Sequence, residues 1–177
     1  MRSGDVRAAA AVGAALLLLG ACSDEHAGTL PPPSPTTGAP TTPTPSATGD
    51  YATGLRAAID AYYRTLSEAA RDPANRTDAL AQLIHPSCTC MAVIDFLRKE
   101  AAEGHYLDYS YSARDIRVID VGELGGNATY VVVQTPGHQR ARDGRVLATF
   151  PGSEQKFSVH FRRLDGRWLL DRADRVK

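Results

Sequence analysis

The apolar positions of this chain follow one period in the first half of its folded region and another in the second. Leu55, Ile59, Tyr62, Tyr63, Leu66 and Ala70 recur at steps of three and four, so the spacing predicts a helix from about Thr53 to Arg71 with one buried face. Pro73 and Asn75 interrupt it. Thr77 and Asp78 then suit the start of a short helix carrying Leu80, Leu83 and Ile84. It should stop ahead of Pro86, because the residue before a proline is pushed out of the helical region. A third helix is expected from about Cys90 to Glu103, with Thr89 as its cap and Met91, Ile94, Leu97 and Ala101 as its apolar stripe. Gly104 is its C-terminal stop.

Beyond Gly104 the period falls to two. Residues 116–121, 128–134, 145–150, 155–163 and 167–172 read as strands, with Gly125-Gly126-Asn127, Asp143-Gly144 and Asp165-Gly166 as the turns between them. Asp-Gly between alternating runs signals a hairpin, since the glycine accepts the positive φ the turn needs. Phe157, Val159 and Phe161 alternate with Ser158, His160 and Arg162, so one face of that strand is covered. Helices first and antiparallel strands afterwards predict an α+β fold, with three N-terminal helices packed on a curved sheet.

The residues ahead of the helices have a different character. Arg2 and Arg7 give a positive start, and Ala8 through Leu19 is unbroken small and apolar sequence. That run is shorter than the roughly 20 residues a membrane-crossing helix needs. It ends in Leu19-Gly20-Ala21-Cys22, which resembles the lipobox of bacterial lipoproteins. The resemblance implies cleavage before Cys22, acylation of its thiol, and anchoring on the extracytoplasmic side of the cell membrane. Each buried acyl CH2 contributes about 0.8 kcal/mol, so two or three chains hold a protein durably. Between Gly28 and Gly49 stand seven of the chain's 11 prolines, interleaved with threonines. Such a segment buries too little apolar surface to offset its ordering entropy, and it reads as an extended tether. The expected division is therefore a signal peptide over 1–21, a lipidated cysteine and linker over 22–50, and one domain over 51–177.

Charge removes some partners. Lys plus Arg number 20 and Asp plus Glu 20. The basic residues are interleaved with acids, as in Arg114-Asp115 and Arg142-Asp143. No nucleic-acid footprint and no polybasic membrane patch is suggested. After Cys22 only Cys88 and Cys90 remain, and outside the cytoplasm an internal disulfide is the simplest expectation. A redox pair, free thiols, or metal ligation with His85 and His105 are the other readings. Zinc favours a wider cysteine spacing, so neither metal nor other cofactor is expected.

The three helices, the curved antiparallel sheet and the closing Asp165-Gly166-Arg167-Trp168-Leu169-Leu170 hairpin together resemble the NTF2-like, or cystatin-type cone, superfamily over residues 51 to 175. With the signal, the Thr/Pro linker and the paired cysteines, the chain also resembles small actinobacterial lipoproteins. The cone implies a pocket between the helices and the concave sheet face, with Tyr62, Tyr63, Tyr109, Tyr111 and Trp168 as candidate pocket residues. Ketosteroid isomerase, on a related fold, works with an Asp base and Tyr and protonated Asp donors. Asp95, Asp108 and His160 are the groups here that could play such parts, but no spacing carries a role across and no catalytic residue is assigned. Neither a phosphate-binding glycine loop nor a His-Glu-x2-His motif occurs. The expectation is a lipid-anchored binding domain without catalytic activity, taking a protein or apolar small-molecule partner, or a second copy through the outer sheet face. A small cone-fold enzyme with isomerase-like acid–base chemistry is the alternative. A deep cavity holding a buried acid would favour the enzyme, and an exposed apolar patch on the outer sheet face an interaction module.

Overall fold

A computed structural model describes residues 47–176. The expected signal peptide, Cys22 and the linker up to residue 46 lie outside the described residues, and the linker's last residues, 47–50, belong to the first helix instead. The chain runs α1 (Ala47–Arg71), α2 (Pro73–Ala81), a 3-10 turn (Thr89–Met91), α3 (Ala92–Glu103), β1 (His105–Leu107), β2 (Tyr111–Val121), β3 (Gly125–Gln134), β4 (Gly137–Ala141), β5 (Val146–Phe150), β6 (Ser153–Leu164) and β7 (Arg167–Arg175). Among the described residues no helix is long and apolar enough to cross a membrane.

Helix α1 buries the expected stripe, with Leu55 and Ile59 fully covered and Ala69 added to it. It begins ahead of Thr53, with Asp50 in its first turn where a negative charge suits the helix dipole. Helix α2 starts earlier than Thr77. Pro73 occupies its first turn, where a missing N–H costs nothing, and Asn75 donates to the Asp72 carboxylate at 2.9 Å. Thr77 is buried mid-helix, its hydroxyl donating back to the Pro73 carbonyl at 2.6 Å. Thr89 is not a cap either: Cys88 precedes the 3-10 turn and its sulfur accepts the Cys90 N–H. Gly104 does end α3, in the left-handed conformation at φ 72°.

The strands form two sheets where one was expected. β2-β3-β6-β7 make a four-stranded antiparallel sheet, and β1-β4-β5 a three-stranded one. β1 and β4 are the unexpected members. β1 spans only His105–Leu107, and the buried positions of β4 are Gly137 and Gln139, so no apolar alternation announces it. Gly125-Gly126-Asn127 is the start of β3 rather than a turn. Its glycines serve close approach: a Cβ on Gly125 would collide with the Phe161 carbonyl, and one on Gly126 would lie 3.0 Å from the Leu55 side chain. Asp143-Gly144 and Asp165-Gly166 are true turns, with φ 86° at Gly144 and 77° at Gly166.

The large sheet bends at register shifts in β2, where Asp115 has φ 56°, and again between β6 and β7. The helices pack on its inner face, which carries Ala128, Tyr130, Val159, Phe161 and Leu170. Residues 83–85 cover the β7 edge through Leu170 N–H to the Leu83 carbonyl and His85 N–H to the Leu170 carbonyl. Ser67 ties α1 to β2 by accepting the Tyr111 N–H at 2.8 Å.

Candidate functional site

A cavity of about 130 Å³ lies between α1, α3 and the inner face of the large sheet. Its apolar wall comes from Leu66, Val93, Val132, Phe157 and Leu170, and the Cys88–Cys90 disulfide presents Cys90 to it. Helical spacing on α1 aims Tyr62, Tyr63 and Leu66 at the same side. Strand alternation brings Val132 and Phe157 in from β3 and β6, where Val132 is paired with Gln155 and Tyr130 with Phe157. Gln134, Ser153 and Gln155 are partly exposed and give the cavity a polar side, with the Ser153 hydroxyl donating to the Gln134 side-chain Oε1 at 3.3 Å.

Three of the five tyrosine and tryptophan candidates stand on this wall: Tyr62, Tyr63 and Tyr111. Tyr109 packs behind it, edge-on to Tyr111 and Phe150. Trp168 lies elsewhere, with its indole against Gly54 on α1. Tyr130, which the spacing did not single out, backs the wall: its hydroxyl is 3.1 Å from that of Tyr63. Burial raises the phenols of Tyr62, Tyr63 and Tyr130 well above their ordinary value and raises that of Tyr111, and for Tyr62 and Tyr63 neighbouring tyrosines add to the effect. These hydroxyls therefore stay neutral, as hydrogen-bonding groups in an apolar wall.

Among the described residues no carboxylate and no imidazole lines the cavity. Asp95 is exposed on α3. His160 faces the outer side of the sheet, its Nδ1 3.1 Å from the Asn127 side-chain oxygen. Asp108 is engaged by the Arg140 guanidinium at 2.5 Å and by the His138 backbone N–H. Desolvation alone would raise its carboxyl, but those bonds outweigh it and hold the group below the usual carboxylate range. The single buried carboxylate among the described residues, Glu100, is held away from the cavity by Gln139.

The bonded Cys88 and Cys90 sulfurs are unavailable as the ligand pair considered with His85. His85 Nδ1 instead stands 2.7 Å from Ser87 Oγ and 3.2 Å from Asp171 Oδ1. This is no hydrolytic triad: serine and aspartate meet the same ring nitrogen, whereas proton relay through an imidazole needs both.

No protein-family model and no curated protein matches the chain. Solved structures do. The intermembrane-space region of the chloroplast protein ARC6 is similar at a TM-score of 0.53 and 13% identity, over 72% of this chain and 96% of that one. A putative aromatic ring hydroxylase from Novosphingobium aromaticivorans is similar at 0.52 and 12% identity, over 71% and 87%. An uncharacterised protein with a cystatin-like fold from Caulobacter vibrioides gives 0.49 at 14% identity, over 73% and 92%. At such identities the likeness to the two structures with TM-scores above 0.5 is one of fold alone.

Proposed function

We propose that this chain is a lipid-anchored, extracytoplasmic binding domain of the small actinobacterial lipoprotein type, whose cone holds an apolar ligand about the size of one aromatic ring. The supporting observation is the cavity itself: about 130 Å³, walled by aliphatic and neutral phenolic groups, with polar side chains along one side. An apolar protein cavity of roughly 150 Å³ accommodates benzene, which sets the size class. The centre of the outer sheet face is polar, carrying Arg114 with Glu154 and Asn127 with His160. Of the exposed large apolar side chains, Leu124 sits in the turn before β3, Leu164 at the end of β6, and Val146 and Leu147 on the other sheet. The arrangement favours a ligand within the cone over a second copy, or another protein, on that face.

The alternative is a small cone-fold enzyme, and one similar structure is described as a putative ring hydroxylase. Isomerase-like chemistry needs a base at the reacting carbon, and the cavity wall offers none. Calorimetric titration of the full chain with toluene should show saturable binding, abolished when Ala173→Phe fills the cavity. Absence of binding, or binding unaffected by that substitution, overturns the reading. The anchor is tested separately: Cys22→Ser should release the chain from the cell envelope, and continued attachment would reject it.

A further inference from the structure

A second cluster lies away from the cavity, where α3 ends and β1 begins. Glu100 is in the last turns of α3, Glu103 closes the helix, Gly104 turns the chain at φ 72°, and His105 opens β1. The left-handed turn folds the imidazole back over the two carboxylates. His105 Nδ1 stands 3.2 Å from Glu103 Oε2 and 3.6 Å from Glu100 Oε2. One donor atom from each of the three residues falls within 4.8 Å of the others.

Two details set this group apart from a surface ion pair. His105 Nδ1 is shielded from solvent and has no hydrogen-bond partner, because Glu103 is near it but badly directed. A buried ring nitrogen without a hydrogen-bond partner is rare and calls for an explanation. Glu100 is 3% exposed, and no lysine or arginine among the described residues neutralises it. Its Oε2 is instead held at 2.5 Å by the amide of Gln139, itself buried on β4.

We infer that Glu100, Glu103 and His105 form a binding site for a divalent transition-metal ion, with zinc the best fit. Zinc bound by imidazole and carboxylate at about 2.0–2.2 Å places its ligand atoms about 3.3 Å apart in a tetrahedron. The two separations from Nδ1 bracket that edge. Glu103 is on the exposed side, where its Oε1 stands 3.9 Å from the exposed Lys99 ammonium, and swinging inward to close the third edge costs only that weak surface pair. The ion would neutralise the buried carboxylate, take the orphaned lone pair, and leave one position for water. Gln139 would orient Glu100 from behind, as outer partners of metal ligands do. The site thereby joins α3 to both β1 and β4 of the small sheet.

Metal-stripped full chain, with its disulfide intact, is titrated with zinc chloride against a chromophoric chelator. The inference expects saturable zinc binding by the wild type, with affinity reduced about tenfold or more in the His105→Gln and Glu103→Gln chains. Circular dichroism confirms that each variant is folded, and both substitutions leave the cavity untouched. Zinc should raise the unfolding temperature of the wild type and not of the variants, and magnesium should do neither. No saturable zinc binding, or equal binding by wild type and both variants, overturns the inference.

Discussion

The Tyr63 and Tyr130 hydroxyls meet at 3.1 Å inside the core, with their rings edge to face at 84° and centroids 5.7 Å apart. This pair fastens α1 to the central strand β3, and it satisfies two polar groups that burial would otherwise penalise.

Removing one hydroxyl leaves the other orphaned. Tyr63→Phe or Tyr130→Phe should each cost about 1–2 kcal/mol, the penalty of an unsatisfied buried donor. The double variant should cost less than the sum, because no polar group is then left alone. Urea denaturation of the four proteins checks this, and strict additivity would deny the coupling.

The buried phenols also set an alkaline limit. Their folded pKa values lie above the ordinary value, so the unfolded chain ionises first. The associated stability is complete below about pH 10 and is lost as pH rises towards the folded values, by up to about 1.4 kcal/mol per pH unit for each phenol. Absorbance at 295 nm should show these tyrosines ionising together with unfolding rather than before it.

Asp108 sets an opposite trend at low pH. Its folded pKa is depressed, so its contribution is present above the ordinary carboxylate pKa and disappears as pH falls through the folded value. Arg140→Gln should therefore lower the melting temperature at pH 7 and matter less at pH 3. An equal loss at both would show that packing, not charge, is what Arg140 supplies.

Two glycines should respond differently. A Cβ at Gly137 would lie 2.7 Å from the Tyr109 Cβ and 2.9 Å from Asp108 Oδ1, and Gly137→Ala should cost about 1–3 kcal/mol. At Gly54 the neighbour is the Trp168 indole at 2.9 Å, a side chain that can move. Alanine there gains about 1 kcal/mol of helix propensity. Gly54→Ala should leave stability nearly unchanged while shifting the emission of the chain's one tryptophan.

The Cys88–Cys90 bridge closes too small a loop to staple the domain. The double alanine variant should lose about 1.5 kcal/mol by loop-closure entropy. Chemical denaturation under non-reducing conditions measures it, and a much larger loss would show that the bridge braces the cavity wall beside Val93.

Much of the fold was legible because its signals are local. The stripe from Leu55 to Ala70, the Gly104 stop and the two Asp-Gly turns depend on period and on positive φ, which neighbouring residues settle between them. The errors occurred where local chemistry has two uses. Gly125-Gly126 has the composition of a turn, yet the strand needs both residues because Phe161 and Leu55 approach so closely. Thr77 has the composition of a cap, yet Pro73 takes the helix start and leaves it mid-helix.

The candidate sites divide along the same line. By itself the sequence determined that tyrosines would gather on the buried side of α1 and that an α+β body would follow, since hydrophobic periodicity is written into consecutive residues. Only the tertiary structure decided that Tyr111 reaches the cavity while Tyr109 and Trp168 do not, and that Gln139 meets Glu100 across 39 positions of chain. Those outcomes depend on strand register and on which sheet a strand joins. Both are settled by the packing of distant elements, which no local period records.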